Sequence, residues 1–254
     1  MSKKDKTDWH HYKDLVNWQK YPECILANPV SFNDGSLGGC NIYGDPGLEL
    51  PKTWKYLVDT LGIKSVVDVG CGFGFHSKYF KDDLGLEILG IDGSEKIIDI
   101  TIIPGDAYCH DYATGPFEPD KIYDMCWSVE FVEHVGGEYT QNFIETFKKA
   151  KYLVMTHGTP GQGGHHHVNC QPAEYWIKLL GQNGFELQRE LTNKCRAIAA
   201  EDAQDYLDWR SDRSDDKSYR GPAACAYHHK GPNIPIEFFF VKNGLIFKNA
   251  QIAS

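Results

Sequence analysis

The stretch Asp68-Val69-Gly70-Cys71-Gly72-Phe73-Gly74 decides the fold of this chain. It includes the end of Ser65–Val69, a β-branched segment that predicts a buried strand, and a helix is expected from about Gly74 to Lys81. Glycine has no Cβ, so this stretch can turn tightly and approach a ligand closely. Unpaired amides at the start of the helix lie beside the turn. The pattern therefore predicts a strand–turn–helix unit that binds a small ligand.

Strand-like and helix-like segments alternate along the chain on both sides of this turn. Such alternation predicts an α/β fold with a doubly wound, mostly parallel sheet that helices cover on both faces. The further expected strands are Leu86–Ile91, Tyr123–Ser128, Tyr152–His157 and Phe185–Leu191. The expected helices are 52–61, Tyr139–Ala150 and Pro172–Asn183, and a shortened helix or a loop is expected near Glu95–Ile100.

Composition predicts an arm and one main domain. Residues 1–50 are polar, aromatic and rich in turns, and we expect them to pack on the core as an arm or lid. Residues 51–254 are expected to form a single domain with an insertion at about 192–235, in which 201–210 favours a helix. Near the end, Glu237–Val241 and Leu245–Lys248 flank an Asn-Gly pair, which favours a hairpin. An antiparallel element is therefore expected at the C-terminal edge of the sheet.

Charge and composition limit the expected partners. The 254 residues include 26 basic and 35 acidic ones, and a net charge of −9 makes nucleic acid an unlikely partner. No apolar run approaches the roughly 20 residues of a membrane span, and the charged start shows no signal peptide. The eight cysteines form no CxxC pair, which disfavours a structural zinc site. We therefore expect a cytoplasmic protein with reduced thiols.

A second acid, Asp92, ends the next expected strand, 24 residues after Asp68. A carboxylate at this place can accept two hydrogen bonds from ribose hydroxyls. The dinucleotide fingerprint GxGxxG requires its third glycine at a position that is Phe75 here, whereas the third glycine of this chain is Gly74. The spacing favours a nucleoside ligand without a pyrophosphate.

Three motifs together resemble the class I S-adenosylmethionine-dependent methyltransferases. The glycine turn and Gly90-Ile91-Asp92-Gly93-Ser94 look like the first two motifs of that family, and the tract from Tyr123 to Val135 is similar to its fourth-strand motif. The likeness covers roughly residues 60–190. It implies a Rossmann-like fold of seven strands, S-adenosyl-L-methionine as the cofactor and methyl transfer as the reaction.

The resemblance also implies a cofactor site. Asp92 would hold the ribose, and Asp68 would contact the amino group of the cofactor directly or through water. Either Asp106 or Asp111 would face the adenine, and Asp111, 19 residues after Asp92, fits the end of a third strand better than Asp106, 14 residues after it. The residues expected to bind the cofactor are Asp68, Gly70, Cys71, Gly72, Gly74, Asp92, Gly93, Asp106, Asp111, Tyr112, Ser128 and Glu130.

Five histidines are candidates for a catalytic base. They lie in two loops that should follow the fourth and fifth strands, where ligands of open α/β sheets bind, and neutral imidazole accepts a proton near pH 7. Three consecutive histidines in an extended segment do not readily bind one metal. No metal ligands are therefore assigned, although Asp124, Glu130, His228 or His229 could complete a site. The candidate bases are His134, His157, His165, His166 and His167.

The expected acceptor is a hydroxyl of a small molecule or glycan, because the histidine-rich loop also carries polar amides. A protein or RNA acceptor is the alternative, and the locally basic stretch from Lys194 to Arg220 would serve it. A third hypothesis belongs to another class: an NAD-dependent oxidoreductase, or a binding protein that keeps only the fold. No motif in the sequence selects among acceptors or sets the oligomeric state.

Overall fold

The computed structural model describes residues 16–24, 31–33, 37–41, 46–212 and 238–252. Two short strands in the N-terminal part pair with each other, and seven more form one sheet. The pair is β1 (Ser31–Phe32) and β2 (Cys40–Asn41), and the sheet consists of β3 (Ser65–Val69), β4 (Glu87–Asp92), β5 (Ala107–Cys109), β6 (Tyr123–Ser128), β7 (Ala150–Met155), β8 (Phe185–Leu187) and β9 (Leu245–Asn249).

The seven-stranded sheet has the strand order β5-β4-β3-β6-β7-β9-β8. The strands from β5 to β7 pair in parallel, whereas β9 is antiparallel to both of its neighbours. The predicted fold, with a mostly parallel sheet and an antiparallel C-terminal strand, is confirmed. The position of that strand differs slightly from expectation, because β9 lies one place inside the edge and β8 forms the edge itself.

Helices cover both faces of the sheet. They are α1 (Pro51–Leu61), α2 (Phe75–Asp82), α3 (Glu95–Asp99), α4 (Thr140–Phe147), α5 (Ala173–Gln182), α6 (Arg189–Asp212) and α7 (Phe239–Asn243). One face packs against α4 and α5, and the other packs against the remaining helices. All five residues of β3 are buried, because helices cover the central strands on both sides. Three of them are valines, and the two polar residues are Ser65 and Asp68.

A cluster of aromatic side chains fills the core on the face of α1. Trp54, Trp127 and Phe240 are fully buried, and the rings of Trp127 and Phe240 stack with centroids 6.0 Å apart. Burial of each such side chain stabilises the fold by about 1.5–3 kcal/mol. The cluster joins α1, β6 and α7 directly beneath the carboxyl ends of the strands.

The predicted Asn-Gly hairpin is wrong. The residues before Gly244 form helix α7 instead of a strand, because the ring of Phe240 packs into the core. A two-residue hairpin turn of the Asn-Gly type needs a positive φ at both central residues, whereas Gly244 has φ −62°. Only the strand after the pair, β9, forms as expected, and Glu237 lies outside the described residues.

The region after β8 is more helical than expected. Strand β8 ends at Leu187 rather than Leu191, and α6 extends over 24 residues where a helix of about ten was predicted. The later part of the predicted insertion, residues 213–237 with His228 and His229, lies outside the described residues. Among the residues that are described, none of the helices has both the length and the apolar character of a membrane span.

Candidate functional site

A cavity of about 410 Å³ opens at the carboxyl ends of the strands. Its walls come from the turns after β3, β4 and β5, from the loops after β6 and β7, and from the N-terminal segment 37–40. This volume is within the range of small-molecule sites. The lining includes Gly70, Cys71, Asp92, Gly93, Asp111, Tyr112, Glu130, His134 and His167 of the expected residues.

The glycine turn forms one wall of the cavity with its backbone. Gly70 and Cys71 donate their amides to the Ile91 carbonyl at 2.8 and 3.1 Å, which ties the turn to β4. Gly70 has φ +83°, and a Cβ there would lie 2.7 Å from the Phe131 ring. Gly74 has φ +90°, and a Cβ there would lie 2.6 Å from Ile103. Both positions therefore require glycine. Gly72 and Gly74 support the turn but do not line the cavity.

Asp92 lies at the end of β4, and two backbone amides fix its carboxylate. The amide of Gly72 donates to one oxygen at 2.9 Å, and the amide of Ser94 donates to the other at 3.0 Å. The neighbouring Gly93 lines the cavity next to Leu37 of the N-terminal segment. The carboxylate is thus held at the cavity wall before any ligand binds.

Asp68 is buried behind the turn and is not part of the cavity wall. Its carboxyl accepts a hydrogen bond of 2.7 Å from the Ser77 hydroxyl on α2. Burial raises the pKa of Asp68 to about 7, with the Ser77 bond opposing the shift and the Asp92 charge adding to it. The described geometry gives Asp68 a role in fastening α2 to β3.

The two candidates for the adenine wall lie in different places. Asp106 forms an ion pair with Lys81 on α2 and does not line the cavity. Asp111 lines it, and its carboxylate accepts a hydrogen bond of 2.8 Å from the amide of Ala113. The buried ring of Tyr112 forms the adjacent wall. Strand β5 ends at Cys109, only two residues before Asp111, which explains this placement.

The loop after β6 brings two carboxylates and a histidine together. Glu130 has φ +51°, a strained conformation for a residue with a side chain, and the Thr156 hydroxyl donates to its carboxylate at 2.8 Å. Glu133 is completely buried, whereas His134 lines the cavity. Ser128, one of the expected cofactor residues, is buried beneath the loop and does not reach the cavity.

Only one histidine of the loop after β7 lines the cavity. His167 does so and packs against His134, with ring centroids 4.9 Å apart. His157 is buried behind the cavity, His165 contacts Asn33, and His166 has φ +54° and does not line the cavity. Burial lowers the pKa of His134 to about 4 and also lowers the pKa of His167. Both imidazoles are therefore neutral near pH 7.

Several lining residues were not found by sequence reasoning. The N-terminal segment contributes Leu37, Gly38, Gly39 and Cys40, and the core helices contribute Trp54 and His76. Glu133, which is buried behind the cavity wall, was part of the motif from Tyr123 to Val135 but was not predicted as a site residue. Nothing in the periodicity of these segments indicates a cavity, because their position depends on contacts with distant parts of the chain.

Comparison with known proteins finds a match to one protein family in the centre of the chain. Residues 67–153 match the family described as "Methyltransferase domain". Tocopherol O-methyltransferase of Arabidopsis thaliana is 35% identical over 82 residues, which are 29% of this chain and 23% of that protein. Phosphoethanolamine N-methyltransferase 1 of Zea mays is 24% identical over 187 residues, 68% of this chain and 34% of that protein. The matches thus cover about a third or less of these curated relatives.

A solved structure with a similar fold is a SAM-dependent methyltransferase from Archaeoglobus fulgidus. The two sequences are 23% identical, and the superposition covers 56% of this chain and 70% of that chain with a TM-score of 0.43. The matched family leaves the NAD-dependent oxidoreductase hypothesis without support. The central part of the chain thus matches a methyltransferase domain, and its strand order and its glycine turn with Asp92 agree with the expected resemblance to the class I S-adenosylmethionine-dependent methyltransferases.

Proposed function

We propose that this chain transfers a methyl group from S-adenosylmethionine to a hydroxyl group of a small molecule or glycan. The observation that carries the proposal is the position of His134 and His167, whose imidazoles line the same cavity as the glycine turn and Asp92. The cofactor supplies a methyl group already activated by its sulfonium. The protein therefore has to align the acceptor, exclude water and receive a proton.

The glycine-turn end of the cavity fits this cofactor. Its wall is backbone at Gly70, where a side chain would collide with Phe131. The fixed carboxylate of Asp92 can accept hydrogen bonds from neighbouring ribose hydroxyls. Asp111 and the ring of Tyr112 line the wall beyond it and suit an adenine base.

The histidine end of the cavity suits a hydroxyl acceptor. A hydroxyl gives up its proton as the new carbon–oxygen bond forms, so a neutral imidazole nearby assists the transfer. Burial keeps His134 and His167 neutral, with the pKa of His134 lowered to about 4. The other three candidate histidines do not line the cavity, so the proposal assigns the proton acceptor to one of these two.

The alternative of a protein or RNA acceptor has less support. Arg196, one of the residues of the basic stretch, is half-buried and donates a hydrogen bond of 2.8 Å to the Gly244 carbonyl, so it holds α6 to the core. Arg213, Lys217 and Arg220 lie outside the described residues. The net charge of −9 also disfavours a polyanionic acceptor.

A screen for release of S-adenosylhomocysteine tests the proposal. Hydroxylated small molecules and glycans are compared with amines and RNA as acceptors. With the best acceptor, His134→Ala or His167→Ala should reduce kcat/KM by about 10²–10⁴-fold, the usual contribution of a positioned base. The matched control His165→Ala should stay within about threefold of the wild type because His165 is exposed and outside the cavity. Turnover on amines alone, or full turnover in both variants, would contradict the proposal.

A further inference from the structure

Three side chains near the histidine end of the cavity form a cluster with the composition of a metal site. Among the described residues, Glu133, His134 and His167 each offer one ligand atom, and these atoms lie within 4.8 Å of one another. The side chain of Glu133 is fully buried, and neither of its carboxylate oxygens accepts a hydrogen bond. The Nδ1 atom of His134 is also buried without a hydrogen-bond partner.

An unpaired carboxylate in the interior is costly, and proteins normally pair it or use it to coordinate a metal. The carboxyl of Glu130 lies next to that of Glu133. Among the described residues, no lysine or arginine forms an ion pair with Glu133. The buried carboxylate of Glu133 therefore faces two imidazoles with no described cationic side chain paired to it.

Backbone contacts hold the cluster in place. The carbonyl of Glu133 accepts hydrogen bonds from the amides of Val168 and Asn169 at 2.9 and 3.0 Å, so the loops after β6 and β7 are tied together. The rings of His134 and His167 meet nearly at a right angle, at 85°. A Cβ at Gly164 would overlap the His167 ring, so glycine is required there for the ring to take this position.

We propose that Glu133, His134 and His167 bind a divalent transition-metal cation, with Glu130 beside it at the cavity wall. Two imidazoles and a carboxylate favour Zn²⁺ or Fe²⁺ over Mg²⁺ and Ca²⁺, which prefer oxygen ligands. Ligand atoms about 2.1 Å from one ion lie at most about 4.2 Å apart, so small side-chain rotations bring the three atoms into range. Three protein ligands leave coordination positions open toward the cavity.

The consequence for catalysis rests on the proposed methyl transfer to a hydroxyl group, and it replaces the imidazole base of that proposal with a carboxylate. A cation in this place would hold the hydroxyl oxygen of the acceptor and lower its pKa. The hydroxyl proton passes to the carboxylate of Glu130, and the oxygen forms its bond to the methyl carbon. The carbon–sulfur bond breaks with its electron pair left on sulfur. His134 and His167 then act as ligands and not as proton acceptors.

Metal binding is tested on the full chain without cofactor or acceptor. Protein stripped with a chelator is titrated with Co²⁺, followed by visible absorption, and with Zn²⁺, followed by calorimetry. We expect one ion per chain. His167→Ala should weaken binding by at least about 100-fold, since it removes one of the three protein ligands, whereas the adjacent His165→Ala should change it by less than about threefold. No saturable binding of either ion, or equal weakening in the two variants, would overturn the site.

Glu133→Gln separates a ligand from a structural residue. The change keeps the shape of the side chain and removes its charge, so the stripped variant should have an unchanged or higher Tm while its Co²⁺ affinity falls. A lower Tm in the stripped variant together with normal Co²⁺ binding would overturn the assignment of Glu133.

The catalytic role of the metal is tested separately, by measuring methyl transfer with and without added metal. Stripped protein should recover methyl transfer when Co²⁺ or Zn²⁺ is added. If it binds Co²⁺ but methylates its acceptor at the full rate without it, the catalytic role is overturned. If it binds neither ion and is still active, the site is overturned and the imidazole base of the proposed function stands.

Discussion

At the scale of single residues, Asp92 and Asp106 form a pair of acids that the fold separates. Asp92 is the last residue of β4, and Asp106 directly precedes β5. Both acids stand in motifs that resemble those of the family. Asp92 is held at the cavity wall by the amides of Gly72 and Ser94, whereas Asp106 pairs with Lys81 on the outside. The difference arises from strand length, because β5 is short and its carboxyl end lies at Cys109, after Asp106.

This difference makes a matched pair of variants. Asp92→Asn should weaken the binding of S-adenosylhomocysteine by about 10–100-fold, since hydrogen bonds to a charged group contribute about 1.5–3 kcal/mol. Asp106→Asn should change the affinity by less than about threefold, because it removes only a partly exposed ion pair. Calorimetric titration measures both. A larger loss in Asp106→Asn than in Asp92→Asn would place the cofactor site elsewhere.

Other residues of the site could not be predicted in this way. Glycines and acids at the ends of parallel strands were predictable, because those ends meet at one edge of the sheet. The direction of a side chain within a loop depends on contacts with remote segments. His134 and His165 illustrate this, since one packs against His167 in the cavity and the other lies beside Asn33.

At the scale of elements, the strands were easier to predict than α6. The central strands are buried on both faces and read as apolar runs. Helix α6 buries a stripe of small and polar side chains, so hydrophobic periodicity does not reveal its first half. The buried residues of this helix, among those that the structure describes, are Thr192, Cys195, Ile198, Ala199, Asp202 and Ala203, of which only Ile198 is a large apolar residue.

Asp202 links α6 to α1 and provides a test of that packing. Helix α1 begins after Leu50, whose side chain cannot cap the helix. The cap is supplied instead by Asp202, which lies on α6. Its carboxylate accepts hydrogen bonds from the amides of Lys52 and Thr53 at 2.9 and 3.1 Å, and from the Thr53 hydroxyl at 2.8 Å.

Asp202→Ala should therefore lower the free energy of unfolding by about 2–4 kcal/mol, because it leaves a buried helix start without its acceptor. The control is Asp205→Ala, which removes a half-exposed ion pair to Lys52 and should cost less than about 1 kcal/mol. Urea unfolding measures both variants. Similar losses in the two would mean that the cap contributes no more than a surface charge.

At the scale of the whole molecule, the cavity joins segments that are far apart in the sequence. Its walls extend from Leu37 to Phe239, and a Cβ at Gly38 would lie 2.8 Å from the His134 ring. The N-terminal segment thus closes a site to which both the matched central domain and later parts of the chain contribute walls. Composition predicted that residues 1–50 pack on the core, but only the assembled fold brings residues 37–40 to the turn after β4 and to His134.

Because the cofactor would touch several separate segments at the glycine-turn end of the cavity, its binding should protect them together. S-adenosylhomocysteine at 100 times its Kd stabilises the folded state by about 2.7 kcal/mol, and residues that contact it should exchange their amide hydrogens more slowly. We expect slower exchange in segments 37–41, 70–75, 92–93 and 110–112, which line the glycine-turn end of the cavity. Helix α5, on the opposite face of the sheet, serves as the internal reference. Slower exchange at the glycine turn with no change in 37–41 would show that the N-terminal segment stands apart from the cofactor and borders only the acceptor.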